Sequence, residues 1–429
     1  MNVVISTLKS VAYAMVTSPY VFVLLMFVVV YYNYNKKIVS IQKMIIGEKL
    51  NSALELTASQ IALGILGGAI GSIMLNYLGV SFDENTSIEL IFFLSILLMF
   101  IKPKYICFSY SGAVLGFISI LLEMMHKMYG VTIPQLRFLS IDVVALMTLV
   151  AVMHFVEGIL VMIDGSRGSI PIFTKKNGEI IGGFALKRYW VMPIVIALLV
   201  NSNGYSLNEI ISIGSWKTFL NPTTPLSIIE NVAILLMPFY GVVGYSTVTF
   251  TKTKREKSIT SGFMIMIYSI VLFIFARIAI LNIFFKLFVV IFAPVAHEAM
   301  MYIQRRSEVK KEPKYISNES GMMILEVAPN SPAYDMGIRS GDILLEVNDK
   351  RVFKEDDIVN MIKEASNIAW FKVKRTAGYL EEIRYKNINN SKHLGIVFVP
   401  MNVPKEKMVL KVDENKFSEI LNKMKSKDE

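Results

Sequence analysis

Before residue 305 the sequence runs through apolar stretches long enough to cross a bilayer, and this constrains the fold more than any other feature. A membrane-spanning helix needs about 20 apolar residues. The candidates are Val11–Tyr32, Gln60–Val80, Ser87–Ile101, Tyr105–Met125, Ile141–Ile163, Ile228–Phe250, Ser261–Leu281 and Asn282–Ile303, with Tyr189–Val200 as a shorter run. That makes about nine helical spans, with eight as the close alternative. Composition agrees: the chain is 54% hydrophobic with mean hydropathy +0.51, too apolar for a soluble protein of 429 residues. Gly64, Gly67, Gly68 and Gly71 suit close helix packing. Asn33–Ser59 is mixed and basic and is expected to form an interfacial or cytoplasmic helix. No small-residue cleavage site follows the first run, which is therefore expected to stay as an anchor.

Charge then orients the spans. Lys36, Lys37, Lys43 and Lys49 follow the first; Lys102 and Lys104 follow the third. Arg167, Lys175, Lys176 and Lys187 follow the fifth, and Lys252, Lys254, Arg255 and Lys257 the seventh. Arg305, Arg306, Lys310 and Lys311 follow the last. Alternate loops are poorer in Lys and Arg, and one carries Asp83 and Glu84. By the positive-inside tendency the basic side is the cytoplasm, so nine spans give an outside N-terminus and a cytoplasmic C-terminal region. An eight-span version either breaks the alternation or moves only the N-terminus inside. The net charge of +10 fits basic loops rather than nucleic-acid binding. Cys107 is the sole cysteine, so no intrachain disulfide is possible.

Titratable residues inside apolar spans are costly and tend to be functional. His154 and Glu157 share a helix face at i,i+3 spacing, and His297-Glu298 lies near the end of the last span. Two histidines and two carboxylates could bind zinc if the helices meet. The preferred reading is a set of buried hydrogen-bonded pairs that lock helices together, with no metal, cofactor or catalytic residue. The His-Glu-x-x-His pattern of site-2 intramembrane metalloproteases puts both zinc ligands on one helix. Here the second ligand position is Met301, and Ile163-Asp-Gly165 resembles that family's aspartate motif only weakly.

The C-terminal region changes character. Gly321–Val327 alternates like a strand, and Ser331-Pro332-Ala333 can start a short helix, with Ser331 as N-cap. Gly337 can end that helix, Gly341 permits a tight turn, and Asp342 can accept backbone N–H bonds there. Ile343–Val347 is a second strand ending in Asn348-Asp349, which is turn chemistry. Lys354–Ser366 repeats apolar residues at Ile358, Met361, Ile362 and Ala365, a helical stripe, and Ala369–Lys374 returns to strand alternation. This order of strand, Ser-Pro-Ala, short helix, Gly-Ile-x-x-Gly-Asp, strand, helix and strand resembles a PDZ domain over about eighty residues. The resemblance implies a module that binds peptide tails or internal strands by β-addition, with no chemistry of its own.

The usual PDZ carboxylate loop precedes the Ser-Pro-Ala motif, and none is found before Gly321. His393–Phe398 has the expected character instead, so a circularly permuted domain is expected. In it Leu394, Gly395 and Ile396 supply the carboxylate loop and the following strand supplies the edge. The helix around Asp357 and Met361 forms the other wall. The alternative is that His393–Val399 only closes the sheet and leaves no free edge.

A polytopic region followed by one PDZ domain is similar to the MinJ family of Gram-positive division-topology proteins. Lys102–Tyr110, the His154/Glu157 span running into Asp164-Gly165, and His393–Pro400 carry that likeness. The resemblance implies a bridge between a polar scaffold and the Min division inhibitor, at septum or poles. The expected architecture is an α-helical polytopic membrane bundle (1–304), a basic linker (305–319), a small α+β PDZ domain (320–400) and an amphipathic tail (401–429). In that tail Phe417, Ile420, Leu421 and Met424 share a helix face. Expected partners are the lipid bilayer and cytoplasmic or membrane proteins held in the PDZ groove, not nucleic acid. The rival class is a divergent intramembrane metalloprotease with a regulatory PDZ domain. A transporter or sensor would need half-helix breaks or charged pathways that the spans lack.

Overall fold

The computed structural model describes residues 3–48, 50–131, 133–202, 210–212, 216, 218–220, 232–364, 368–386 and 394–401. The expected tail helix and His393 lie outside these residues. The chain begins with helices α1 (Val3–Val16), α2 (Tyr20–Ile46) and α3 (Ala53–Tyr77). Strand β1 (Ser81–Asp83), α4 (Leu90–Ile101) and a 3-10 turn at Pro103–Ile106 follow. Next come α5 (Phe108–Tyr129), a second 3-10 turn at Pro134–Leu139, and α6 (Val143–Asp164). A strand-rich section holds β2 (Ile170–Lys176), β3 (Glu179–Asn201), β4 (Ile210–Ser212) and β5 (Val232–Thr249). Helices α7 (Lys254–Ile278) and α8 (Ile283–Lys310) complete the N-terminal region. The C-terminal region contains β6 (Tyr315–Ile316), β7 (Met322–Val327), α9 (Pro332–Asp335), β8 (Ile343–Val347) and β9 (Lys350–Arg351). It ends with α10 (Glu355–Glu364), β10 (Ile368–Lys374), β11 (Leu380–Lys386) and β12 (Ile396–Phe398).

Among the described residues, six helices are long and apolar enough to cross a membrane: α2, α3, α5, α6 with the turn before it, α7 and α8. Four of the expected spans need correction. Val11–Tyr32 is divided at Pro19, whose ring cannot continue a helix interior, and α2 instead runs on through the basic stretch after it. Ser87–Ile101 yields only the 12-residue α4, too short to span. Tyr189–Val200 and the described part of Ile228–Phe250, from Val232 on, are not helices. They form β3 and β5, paired antiparallel from Phe184↔Thr249 to Asn201↔Val232. Val191, Ile194, Val195 and Ile196 are β-branched, and Pro193, Pro238, Gly241 and Gly244 all oppose a helix. The two strands read as continuous apolar runs because both faces are covered, which removes the alternation that marks a strand.

Packing explains the small residues. A Cβ on Gly64 would sit 2.1 Å from the Val191 carbonyl oxygen, and one on Gly68 would sit 2.3 Å from that of Pro193. The glycines of α3 therefore let a helix rest on a strand backbone, not only on another helix. α6 is the central element, with 17 of its 22 residues buried. It crosses α7 where a Cβ on Gly262 would lie 2.5 Å from the Gly158 carbonyl oxygen. At its end the fully buried Asp164 Oδ2 accepts from Arg188 Nε (2.9 Å) and Trp190 Nε1 (3.0 Å), tying α6 to β3. Arg188 also donates to Ser59 Oγ at 2.7 Å, which adds α3 to the same knot. Asp164 is thus a structural tie between elements.

The C-terminal sheet has the order β11-β10-β8-β7-β12, with β9 paired to β8. It is docked on the N-terminal region. The stretch expected as a linker holds the last turns of α8 and then β6, which pairs with Ile181 and Gly182 of β3. Tyr315 is buried against Phe184, with ring centroids 5.6 Å apart, and burial pushes its phenol up to about 12. Lys314 N donates to the Phe250 carbonyl at 2.8 Å, and Lys254 Nζ pairs with Glu326. Leu325, Ala328, Val397 and Val399 join the large N-terminal core, while Ile324, Ile396 and Phe398 face the domain's own core.

Candidate functional site

The C-terminal motif is built by residues with individual jobs. Ser331 Oγ donates to the Ala328 carbonyl (2.7 Å) and caps α9 by accepting from Tyr334 N (3.3 Å). Gly337 and Gly341 have φ of +75° and +95°, the region that favours glycine. Asn348 and Asp349, with φ of +49° and +61°, form the two-residue turn between β8 and β9. Asp342 is buried and accepts from Arg339 N (3.0 Å), Arg375 Nη1 (2.7 Å) and Thr376 N (3.1 Å). Arg375 also donates to Glu381 Oε2 at 2.6 Å, and the two carboxylates, Glu381 first, raise its pKa further. Asp342 therefore pins the short-helix turn to the β10–β11 turn. Arg375 and Thr376, which sequence reasoning missed, are its partners and carry no local signal of that role.

β12 lies at the end of the sheet. It pairs with β7 through Ile396↔Val327, Val397↔Glu326 and Phe398↔Ile324, and with no other described strand. The Gly395 carbonyl accepts from Ala328 N, just past β7, and Val399 N donates to Met323 of β7, so alternation turns the backbone groups of Ile396 and Phe398 to the outer side. Ile358, Met361 and Ile362 of α10 pack in the same core as Leu394, Ile396 and Phe398. Asp357 is half-buried on that helix, and Ala365 lies outside the described residues. α10 packs against β8, and α2 approaches β12.

Gly395 also has a role in the fold. Its φ is +72°, and a Cβ there would lie 2.4 Å from Ser331 Cβ. Its carbonyl and that of Leu394 accept from Ala328 N and Ala333 N. The glycine joins β12 to the Ser-Pro-Ala turn, so a bulky residue at 395 would disturb the fold as well as any binding loop.

A second constellation sits between helices. Cys107 ends the 3-10 turn before α5, His154 lies on α6, and His297 lies on α8. Cys107 Sγ is 2.9 Å from His154 Nε2 and 3.5 Å from His297 Nε2, and the two rings are 5.7 Å apart. Ser109 Oγ is 3.2 Å from His154 Nε2 and 2.7 Å from the Tyr268 hydroxyl, which donates to the Ala293 carbonyl at 2.9 Å. The two histidines singled out in the sequence do meet. Glu298 turns away to Lys104 and to the Tyr110 hydroxyl (2.6 Å). Glu157 lies one turn beyond His154 on α6 and is half-buried. Sequence reasoning missed Cys107, Ser109 and Tyr268, because their meeting depends on helix packing and not on spacing along the chain.

Residues 323–375 match the PDZ domain family, and the C-terminal unit is a PDZ domain. A 48-residue stretch is 44% identical to a probable periplasmic serine endoprotease DegP-like protein of Bartonella henselae. That match covers 11% of this chain and 10% of that protein, so the likeness concerns a small segment of each. No solved structure matches the chain.

Proposed function

We propose that this protein is a membrane-embedded PDZ adaptor that holds cytoplasmic partners, in the manner of the MinJ-like division-site proteins it resembles. The observation that carries the reading is the PDZ sheet edge at β12, where the backbone groups of Ile396 and Phe398 turn away from β7. Such an edge binds an extended peptide by main-chain hydrogen bonds, and α10 reads its side chains. Membrane insertion is supported by six spanning-length helices and by apolar residues exposed along them, such as Phe22, Leu25, Phe263, Ile267, Phe284 and Ile291.

The cytoplasmic side is supported by where the PDZ domain docks. β6 and Glu326 meet the end of the β3–β5 hairpin that carries Lys175, Lys176, Lys252 and Lys254. An antiparallel hairpin returns the chain to the end it left, so the basic segments before β3 and after β5 share a side even though neither strand is a helical span. Reporter fusions after Lys257 and after Lys311 test this: both are active only as cytoplasmic reporters, and an external signal at either site overturns the orientation. For the division role, a chain lacking the PDZ domain inserts but gives misplaced septa or filaments. Normal division in that strain contradicts the role.

The rival reading is an intramembrane metalloprotease, favoured by the convergence of His154 and His297 near a carboxylate. Against it, the histidines come from different helices and position 301 is Met301. Cleavage of a membrane substrate, lost on His297→Ala, would establish the enzyme.

A further inference from the structure

We infer that Cys107, His154 and His297 bind one zinc ion. Their ligand atoms all lie within 4.8 Å of one another. Tetrahedral zinc with bonds of about 2.3 Å to sulfur and about 2.0–2.1 Å to nitrogen sets S–N edges of roughly 3.6 Å and N–N edges of roughly 3.4 Å. The Cys107–His297 separation of 3.5 Å already fits such an edge, and the Cys107–His154 separation of 2.9 Å has to open by a fraction of an ångström.

The surrounding hydrogen bonds orient the ligand atoms toward one point. The Val150 carbonyl, 2.7 Å from His154 Nδ1, can only accept, so Nδ1 carries a proton and Nε2 offers a lone pair toward the thiol. This hydrogen bond is the outer support that orients a ligating histidine. The Tyr268 hydroxyl spends its proton on the Ala293 carbonyl, so Ser109 donates to Tyr268 and has no proton for His154. Among the described residues, His297 Nδ1 is buried without a partner, and its Nε2 faces Cys107. The thiol has one proton for the two imidazoles, and His297 Nδ1 lacks a partner in either tautomer, so the case for the metal rests on the convergence of the sulfur and the two Nε2 atoms. A metal ion that displaces the thiol proton engages both Nε2 atoms and the sulfur at once, and the released proton goes to solvent.

One thiolate and two imidazoles form a donor set suited to zinc and not to magnesium or calcium, which take oxygen. A water molecule would complete the four ligands. The ion would clamp the α4–α5 turn, α6 and α8, the helix that leads into the PDZ domain. The adaptor reading does not depend on it, because zinc without cleavage fits a structural clamp.

The test is metal analysis of the full-length protein purified in detergent without chelator, together with the spectrum of the cobalt-loaded form. About one zinc per chain is expected, with the intense visible bands of tetrahedral cobalt and a sulfur-to-cobalt band in the near ultraviolet. Cys107→Ser, a near-isosteric change, removes the sulfur band and lowers zinc affinity by a factor of 10 or more. Glu298→Gln retains the metal, because Glu298 points to Lys104 and Tyr110. A folded, monodisperse wild type that takes up neither zinc nor cobalt overturns the site. So does zinc that survives both Cys107→Ser and His297→Ala, or copper found in its place.

Discussion

The PDZ domain and the N-terminal region are held by similar forces but announce themselves differently. Each region has a buried carboxylate that ties an Arg to a turn: Asp342 with Arg375 in the PDZ domain, and Asp164 with Arg188 in the helical region. Around Asp342 the element boundaries are written in local chemistry, with Pro332, Gly337, Gly341 and Asn348-Asp349 each fixing a backbone angle. Around Asp164 few boundaries are written, because neighbouring elements bury apolar residues on every side. Local signals survive when a domain has a polar exterior; they fade when both faces of an element are covered.

The largest expected effect comes from removing Asp164. Arg188 would be left almost completely buried without its counter-charge, a loss of about 3–5 kcal/mol. Asp164→Ala should therefore abolish accumulation of folded protein, read by membrane abundance and size-exclusion chromatography in detergent. Near-normal abundance would mean that Asp164 does not hold α6, β3 and α3 together. Asp342→Ala should cost somewhat less, about 2–4 kcal/mol, since Arg375 keeps Glu381. Pulse proteolysis of the full-length chain should show the PDZ domain cleaved while α6–α8 resist. Equal protection of both regions would break the separation drawn between them.

These two sites also show how much could be read in advance. The Ser-Pro-Ala and Gly-Asp turns, the Asn-Asp hairpin, and the strands and helix between them were legible because each depends on its neighbours in sequence. The strands β3 and β5 were not. Their runs satisfy the hydropathy of a span, and Pro193, Pro238, Gly241 and Gly244 were the available warning. The cysteine–histidine cluster was half legible: two histidines in apolar runs stood out, while Cys107 gained meaning only when α5, α6 and α8 came together.

Smaller effects sharpen the contrast. Gly262→Val places side-chain atoms where the Gly158 carbonyl lies 2.5 Å from the Cβ position, and should cost about 1–3 kcal/mol by prising α7 from α6. A lower Tm in detergent checks it, and an unchanged Tm would show that the crossing relaxes freely. Gly395→Ala should cost about 1–2 kcal/mol through its positive φ and its contact with Ser331, so weakened peptide binding in that variant reports fold as much as groove. The smallest change is Lys254→Ala, which removes a partly exposed ion pair to Glu326 at the PDZ junction. It should shift stability by less than about 1 kcal/mol while raising proteolysis between Lys311 and Gly321. Full separation of the PDZ domain from β3 in that variant would show that the ion pair, and not β6, holds the two regions together.

The central claim is that the PDZ edge captures partners in the cytoplasm without cutting them. A photo-crosslinking amino acid at position 357, on the α10 wall of the groove, tests it in living cells. The account predicts crosslinks to intact cytoplasmic or membrane proteins, lost when the chain is truncated before β12. Crosslinks to this chain alone, or captured partners reduced to fragments whose formation requires His297, would contradict it.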